Sequence, residues 1–202
     1  MISIEKAHTI GDRWDKYLKN KGNDLTNPIS LNKISLNLPS FNTIKEFVAN
    51  RELTISIHGQ QASLDVSVFD NFNNLLGIHN VEHRYGGRVK QKENKEVKEL
   101  FGTDNILKLG LNPEYTHISL LVYTPGSGTP MHFDGLEKDE YRFLTAASPW
   151  DWGHMLQIHD KVITHWDMGD TYQVPAGIWH LSTSVGISPK YSFAITGLKN
   201  KG

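Results

Sequence analysis

The chain has 202 residues, 38% of them hydrophobic and 10% aromatic, with 21 Lys+Arg against 22 Asp+Glu. That is enough apolar material for one packed domain and too much for a disordered chain, and a formal net charge of -1 gives no general attraction to nucleic acid or an anionic membrane. Cysteine is absent, which excludes disulfides, thiolate metal sites and Cys nucleophiles together.

The opening M-I-S-I-E-K lacks the basic-then-apolar order of a signal peptide. No apolar run approaches the roughly 20 residues needed to span a bilayer, so a cytoplasmic protein without membrane or nucleic-acid partners is expected. Residues 4–20 space Ile4, Ala7, Trp14, Tyr17 and Leu18 as in a helix, with Gly22 as its stop. Asn42 to Leu53 repeats the pattern with Ile44, Phe47 and Val48, and the charged stretch 91–101 reads as an exposed helix ended by Gly102. Between the last two lies H-R-Y-G-G-R-V-K-Q-K, residues 83–92, basic and aperiodic, which reads as a loop able to move over a site.

Short β-type runs begin at 54–58 and 63–69. After residue 116 they dominate, at 117–124, 141–145, 155–159, 161–166, 171–174, 178–184 and 190–196. Strands about every ten residues predict a barrel or sandwich. The expected organisation is a single domain, 1–202, in which 1–115 is a helical and β scaffold and 116–198 the barrel core.

The stretch G-S-G-T-P-M-H-F-D-G, residues 126–135, reads as a turn followed by a strand. In a strand, residues i and i+2 share a face, so His132 and Asp134 would lie together and could begin a metal site. His180, just after the Pro-Ala-Gly turn at 175–177, is the best third ligand. The 45 residues between Asp134 and His180 accommodate about four short strands, which in a closed two-layered barrel can return the chain to its starting strand. Two His and one carboxylate on one side of a metal form the facial triad of non-haem Fe(II) oxygenases, with positions left open for oxygen and an organic ligand.

In the last strand Lys190, Ser192, Ala194 and Thr196 alternate with Tyr191, Phe193 and Ile195, giving a small polar face and a bulky apolar one. If the small face lines the same interior as His180, Lys190 and Ser192 can hold an anion lying on the metal. His154, His159 and His165 fall on intervening strands, where a satisfied or exposed imidazole is the simpler reading. Trp150-Asp151-Trp152 is an aromatic loop that either packs or meets a ligand at the barrel mouth.

These residues resemble a known family. Gly169-x5-Pro175-x-Gly177-x2-His180 is similar to the second cupin motif, with Ser184 where that motif usually ends in Asn. Gly126-x5-His132-x-Asp134 is similar to the first, with Asp in place of its second His. The H-x-D...H form resembles Fe(II)- and 2-oxoglutarate-dependent oxygenases of the double-stranded β-helix (jelly-roll, cupin-like) fold. With Arg142 ten residues after His132 and Lys190-Tyr191-Ser192 ten after His180, it is most like the aspartyl/asparaginyl β-hydroxylase and proline hydroxylase branch.

The resemblance covers about residues 115–198. It implies a mainly β fold with flanking helices and a dioxygenase that uses molecular oxygen to hydroxylate a C-H bond, releasing succinate and carbon dioxide. The substrate would be an amino acid, a peptidyl residue or a small metabolite. His132, Asp134 and His180 would hold Fe(II), and Lys190 and Ser192 the distal carboxylate of 2-oxoglutarate. Arg142 would be a second contact to cosubstrate or substrate. The branch normally has Arg at the position of Lys190, a planar fork where Lys is a flexible point charge. Two other readings stay open: a cupin-type metalloenzyme without 2-oxoglutarate, and a non-catalytic ligand-binding barrel.

Overall fold

The computed structural model describes residues 30–51, 53–55, 87–89, 94–123, 125–132 and 139–200. These belong to one compact unit formed by Ile29–Ser56 and His83–Gly202. The helix expected at 4–20 and the strand at 63–69 lie outside the described residues, as does Asp134.

The elements are β1 (Lys33–Ser35), α1 (Phe41–Ala49), β2 (Leu53–Ile55), β3 (Gly87–Val89), α2 (Asn94–Phe101), α3 (Thr103–Lys108), β4 (Leu111–Tyr123), β5 (Ser127–His132), β6 (Glu140–Ala146), β7 (His154–Ile158), β8 (Lys161–Ile163), β9 (Asp170–Val174), β10 (His180–Ser184) and β11 (Lys190–Lys199). Among them, α1 starts where the Ser40 hydroxyl accepts from the Thr43 N–H, an N-cap that satisfies one otherwise orphaned donor. Gly102, with φ of 89°, separates α2 from α3, as the sequence predicts for the end of the charged helix. Among the described residues no helix is long and apolar enough to cross a membrane.

The strands form two antiparallel sheets. The larger runs β1-β9-β6-β11-β4-β3-β2, the smaller β5-β10-β7-β8. The eight strands from β4 to β11 thus pass back and forth between β9-β6-β11-β4 and β5-β10-β7-β8, which is a double-stranded β-helix, the jelly-roll arrangement.

Strands β4, β6 and β11 of the larger sheet separate two cores. Ile118, Leu120 and Val122 of β4, Phe143 of β6 and Tyr191, Phe193 and Ile195 of β11 pack with Ile44 and Val48 of α1, Val97 and Phe101 of α2 and Ile106 of α3. Phe101 meets Phe193 edge-on at 5.1 Å, the arrangement aromatic quadrupoles favour. The alternate residues Leu121, Tyr123, Leu144, Tyr172, Val174 and Ala194 face the barrel interior, where Leu156, Ile158 and Ile178 join them. The predicted division of β11 into a bulky and a small face is the boundary between these cores.

Two expectations are corrected. The Gly- and Pro-rich run after Gly126 is already a strand, Ser127–His132, so the turn is over by Gly126, whose φ of 78° makes it. Pro130 is accommodated because β5 is an edge of its sheet, where a missing N–H breaks no ladder. Within the stretch 83–92 read as a loop, Gly87–Val89 is β3, paired to both β2 and β4. Its glycine and charges obscured a three-residue strand too short to show a period.

Phe193 has no exposed surface, so Phe193→Ala is expected to cost about 3–5 kcal/mol in urea unfolding. Trp152→Ala, at a side chain 80% exposed, is expected to change stability by no more than about 0.5 kcal/mol.

Candidate functional site

Between β5 and β10 run four strands, β6 to β9, and they bring β10 back against β5. In the resulting register His180 and His132 are Cα partners, directly opposite one another. The structure describes the backbone of His132. Among the described residues no three His, Asp or Glu side chains form a metal-holding group, and Asp134 and the His132 side chain fall outside that description.

His180 stands at the start of β10 because the turn after Pro175 reverses the chain, with Gly177 at φ of 70° and the Ile178 N–H donating to the Pro175 carbonyl. The other motif glycine, Gly169, has φ of 94°, and a Cβ there would stand 2.2 Å from the Leu36 carbonyl oxygen. This is a close approach that only glycine permits. His180 is 2% exposed, and its Nδ1 lies 3.1 Å from the Ile178 carbonyl oxygen. A carbonyl can only accept, so Nδ1 carries the proton and, in the neutral ring, Nε2 carries the lone pair. A metal-ligating histidine is commonly fixed in this way.

On β10 His180, Ser182 and Ser184 are buried while Leu181 and Thr183 between them are half-buried. Lys190, also 2% exposed, donates from Nζ to Ser182 Oγ at 2.7 Å and to the Met155 carbonyl at 2.6 Å. Its ammonium lies 4.9 Å from the centroid of Trp166 and 5.4 Å from that of Tyr123, within cation-π range. Lys190 and the strand bearing His180 therefore share one interior. Burial pushes the Lys190 pKa down to about 7, and among the described residues no carboxylate offsets it. Beside it is a cavity of about 10 Å3 whose lining includes Ser182, Ser192, Leu156 and Trp166, room for about one water.

Arg142 is placed elsewhere. It pairs in register with Thr196 of β11 and Val174 of β9, whereas Lys190 is opposite Tyr123 at the far end of β11. Val174 leads through the turn to His180, so Arg142 is placed on the strand row at the His180 end.

The remaining predicted side chains have structural partners. His154 Nδ1 accepts from the Asp151 N–H at 3.2 Å, and its Nε2 is 3.1 Å from the Ser188 carbonyl, which can only accept. Burial, chiefly, holds its pKa below the ordinary value, with the Lys190 charge acting in the same direction. Ser184 donates to the Ser188 carbonyl at 2.8 Å, and Ser188 Oγ donates to Asp151 Oδ2 at 2.5 Å. These bonds fasten the loops 151–153 and 185–188 across the Lys190 end of the barrel. Trp150 belongs there too, packed against the interior cluster and stacked on His165 at 4.1 Å, so the aromatic loop is remote from the His180 end. Ser182, Tyr123 and Trp166 were not singled out from sequence, although the i, i+2 spacing of His180 and Ser182 was a readable signal.

No family model matches this chain, and no curated protein does. Among solved structures it is similar to a cupin 2 conserved barrel domain protein from Rhodopseudomonas palustris (10% identity, TM-score 0.38, 61% of this chain and 68% of that one). A predicted oxalate decarboxylase from Thermotoga maritima is also similar (11%, 0.37, 56% and 81%). So is a sugar phosphate isomerase from a cupin superfamily from Silicibacter pomeroyi (13%, 0.37, 55% and 59%). None of the three is described as a 2-oxoglutarate oxygenase. Likeness at this level carries no reaction to this chain, and the fold rests on its own strand order.

The Lys190 pKa, lowered from 10.5 to about 7, fixes the sign of a pH effect. Between those values the unfolded chain binds a proton that the folded chain lacks, so stability rises with pH. Relative to Lys190→Met, the native protein should gain up to about 1.4 kcal/mol per pH unit above pH 7, read from urea unfolding between pH 6 and 9.5.

Proposed function

We propose that this barrel is an Fe(II)- and 2-oxoglutarate-dependent oxygenase, with His132, Asp134 and His180 as iron ligands and Lys190 and Ser192 facing the distal carboxylate of the cosubstrate. The observation that carries the reading is the Lys190 ammonium, buried without a carboxylate partner among the described residues and bonded to Ser182, two residues from His180 along one buried strand face. An uncompensated buried charge costs several kcal/mol, and an anion that arrives with the ligand would offset that cost.

The donor set fits a metal at His180. Its Nδ1–H is held by the Ile178 carbonyl, which leaves the lone pair that a metal would take on Nε2, and His132 is its register partner. When bound, Fe(II) and 2-oxoglutarate supply oxidation of an unactivated C-H bond with oxygen, releasing succinate and carbon dioxide. The residues of the chain orient and exclude: the Ile178 carbonyl sets the His180 tautomer, Lys190 and the Ser182 and Ser192 hydroxyls supply donors, and Leu156, Trp166 and Tyr172 keep bulk water from the anion.

A second reading, a cupin-type metalloenzyme that uses no 2-oxoglutarate, is supported by the space at Lys190. The cavity of about 10 Å3 is smaller than a five-carbon diacid, and Lys190 already has two internal acceptors. In this reading the substrate binds the metal directly and Lys190 stays a structural cation.

Succinate formation with Fe(II) and 2-oxoglutarate under air, together with a metal-to-cosubstrate charge-transfer band without oxygen, separates the two. His180→Ala is expected to abolish iron binding and the band. Lys190→Met is expected to raise the 2-oxoglutarate concentration needed for the band by about tenfold or more. Iron-loaded protein that shows neither band nor succinate would sink the oxygenase reading and favour the second.

A further inference from the structure

We propose that residues 185–188 form a lid over the Lys190 end of the barrel, locked by the neutral His154 ring and released when that ring takes up a proton. The lid has little apolar attachment of its own: Val185 and Ile187 are exposed, and so is Trp152 in the loop it meets. Polar bonds hold it instead. The Val185 N–H donates to the Gly153 carbonyl at 2.8 Å, Ser184 Oγ donates to the Ser188 carbonyl, and Ser188 Oγ donates to Asp151 Oδ2. The two loops touch backbone to backbone, since a Cβ on Gly186 would stand 1.7 Å from the Trp152 carbonyl oxygen.

His154 is the centre of this set and uses both ring nitrogens. The Ser188 carbonyl can only accept, so Nε2 carries the proton, and the Asp151 N–H can only donate, so Nδ1 carries the lone pair. The ring therefore ties the start of one loop to the end of the other only in its neutral Nε2–H tautomer. A second proton goes to Nδ1, where it faces the Asp151 N–H, and two donors then oppose each other. The Asp151 bond is lost, and a charged ring that is 2% exposed is stable only once water reaches it.

The groups that face the ring set the direction of the effect. Asp151 lies beside it on the preceding loop and Lys190 on β11, while Trp166 stacks on it at 6.2 Å. Residues 185–188 carry no titratable side chain, and His165 is stacked on Trp150. Burial and the Lys190 charge disfavour the imidazolium, the Ser188 carbonyl and Asp151 favour it, and the net result is a pKa below the ordinary 6.5. The closed lid is thus fully stabilised above pH 6.5 and loses that contribution as pH falls through the lower folded value. Lys190 follows Ser188 by two residues, so release of the lid opens a path for water and small anions to the buried ammonium.

The lid does not depend on the iron reading and is tested on metal-free protein. Amide exchange at Asp151 and Val185, corrected for the intrinsic effect of pH, is followed from pH 7.5 to 5 together with the NMR titration of the His154 ring. Exchange at both is expected to rise by up to about tenfold per pH unit below 6.5 and to level off where the ring titrates, while the Phe193 amide stays protected. His154→Gln, which offers the Ser188 carbonyl a donor and gains no charge, should abolish the rise. Gly186→Ala should give fast exchange at neutral pH, because the loops can no longer touch, and Lys190→Met should move the ring titration upward. A ring that titrates in the native protein with no change in exchange would overturn the proposal. So would a rise that persists in His154→Gln, which would assign it to Asp151 or Lys190.

Discussion

The strand Lys190–Lys199 is paired on both sides, to β4 and to β6, and its alternation is the constraint on which the rest of the molecule depends. Tyr191, Phe193 and Ile195 are committed to the core beneath the helices. Their neighbours must then face the other way, and only small or polar residues occupy those positions. A one-residue slip would drive aromatic rings into the barrel and polar groups under the helices. The apolar core on one side thereby fixes the position of the ammonium on the other.

The second sheet answers this arrangement. Ser182 accepts from Lys190, and His180 is the next buried residue along the same strand. The Asp151, His154 and Ser188 bonds close the far end and shield that interior from bulk water. Dryness strengthens the interactions of any charge held there and also makes an unpaired charge unfavourable. Stability and ligand affinity would in this sense be opposed at Lys190: the cost of burying the ammonium is borne by the fold and would be recovered by the anion proposed to bind there.

Much of this architecture was legible in the chain because period-2 alternation is a strong signal where both faces of a strand are buried. The two faces of β11 and the four strands between β5 and β10 could be read directly. The meeting of β5 with β10 was readable only as a permitted outcome, since sheet closure is a long-range property. Ser127–His132 was misread because glycine and proline signal turns, while an edge strand tolerates both. Gly87–Val89 was too short to carry a period. At the site, His180 and Lys190 stood out by chemical type, whereas the meeting of Ser182 with Lys190 depends on how the two sheets face each other, which spacing along one strand does not reveal. Arg142 was grouped with Lys190 by its interval from His132, and the β6–β11 pairing puts it at the other end of the barrel.

For a ligand that spanned a metal on His180 and the Lys190 ammonium, the separation of His180 from Ser182 would make the strand a ruler. Two residues of extended chain span about 6.8 Å, and the Lys190 ammonium is anchored at the far mark by Ser182. A molecule that reached from a metal on the imidazole to that ammonium would be selected for length before any other property. One carbon fewer and its far charge would fall short, while one more would have to buckle against Leu156 and Trp166. Such a gauge is set by backbone geometry, so side-chain replacement along the wall would alter which groups fit beside the molecule and leave its permitted length unchanged.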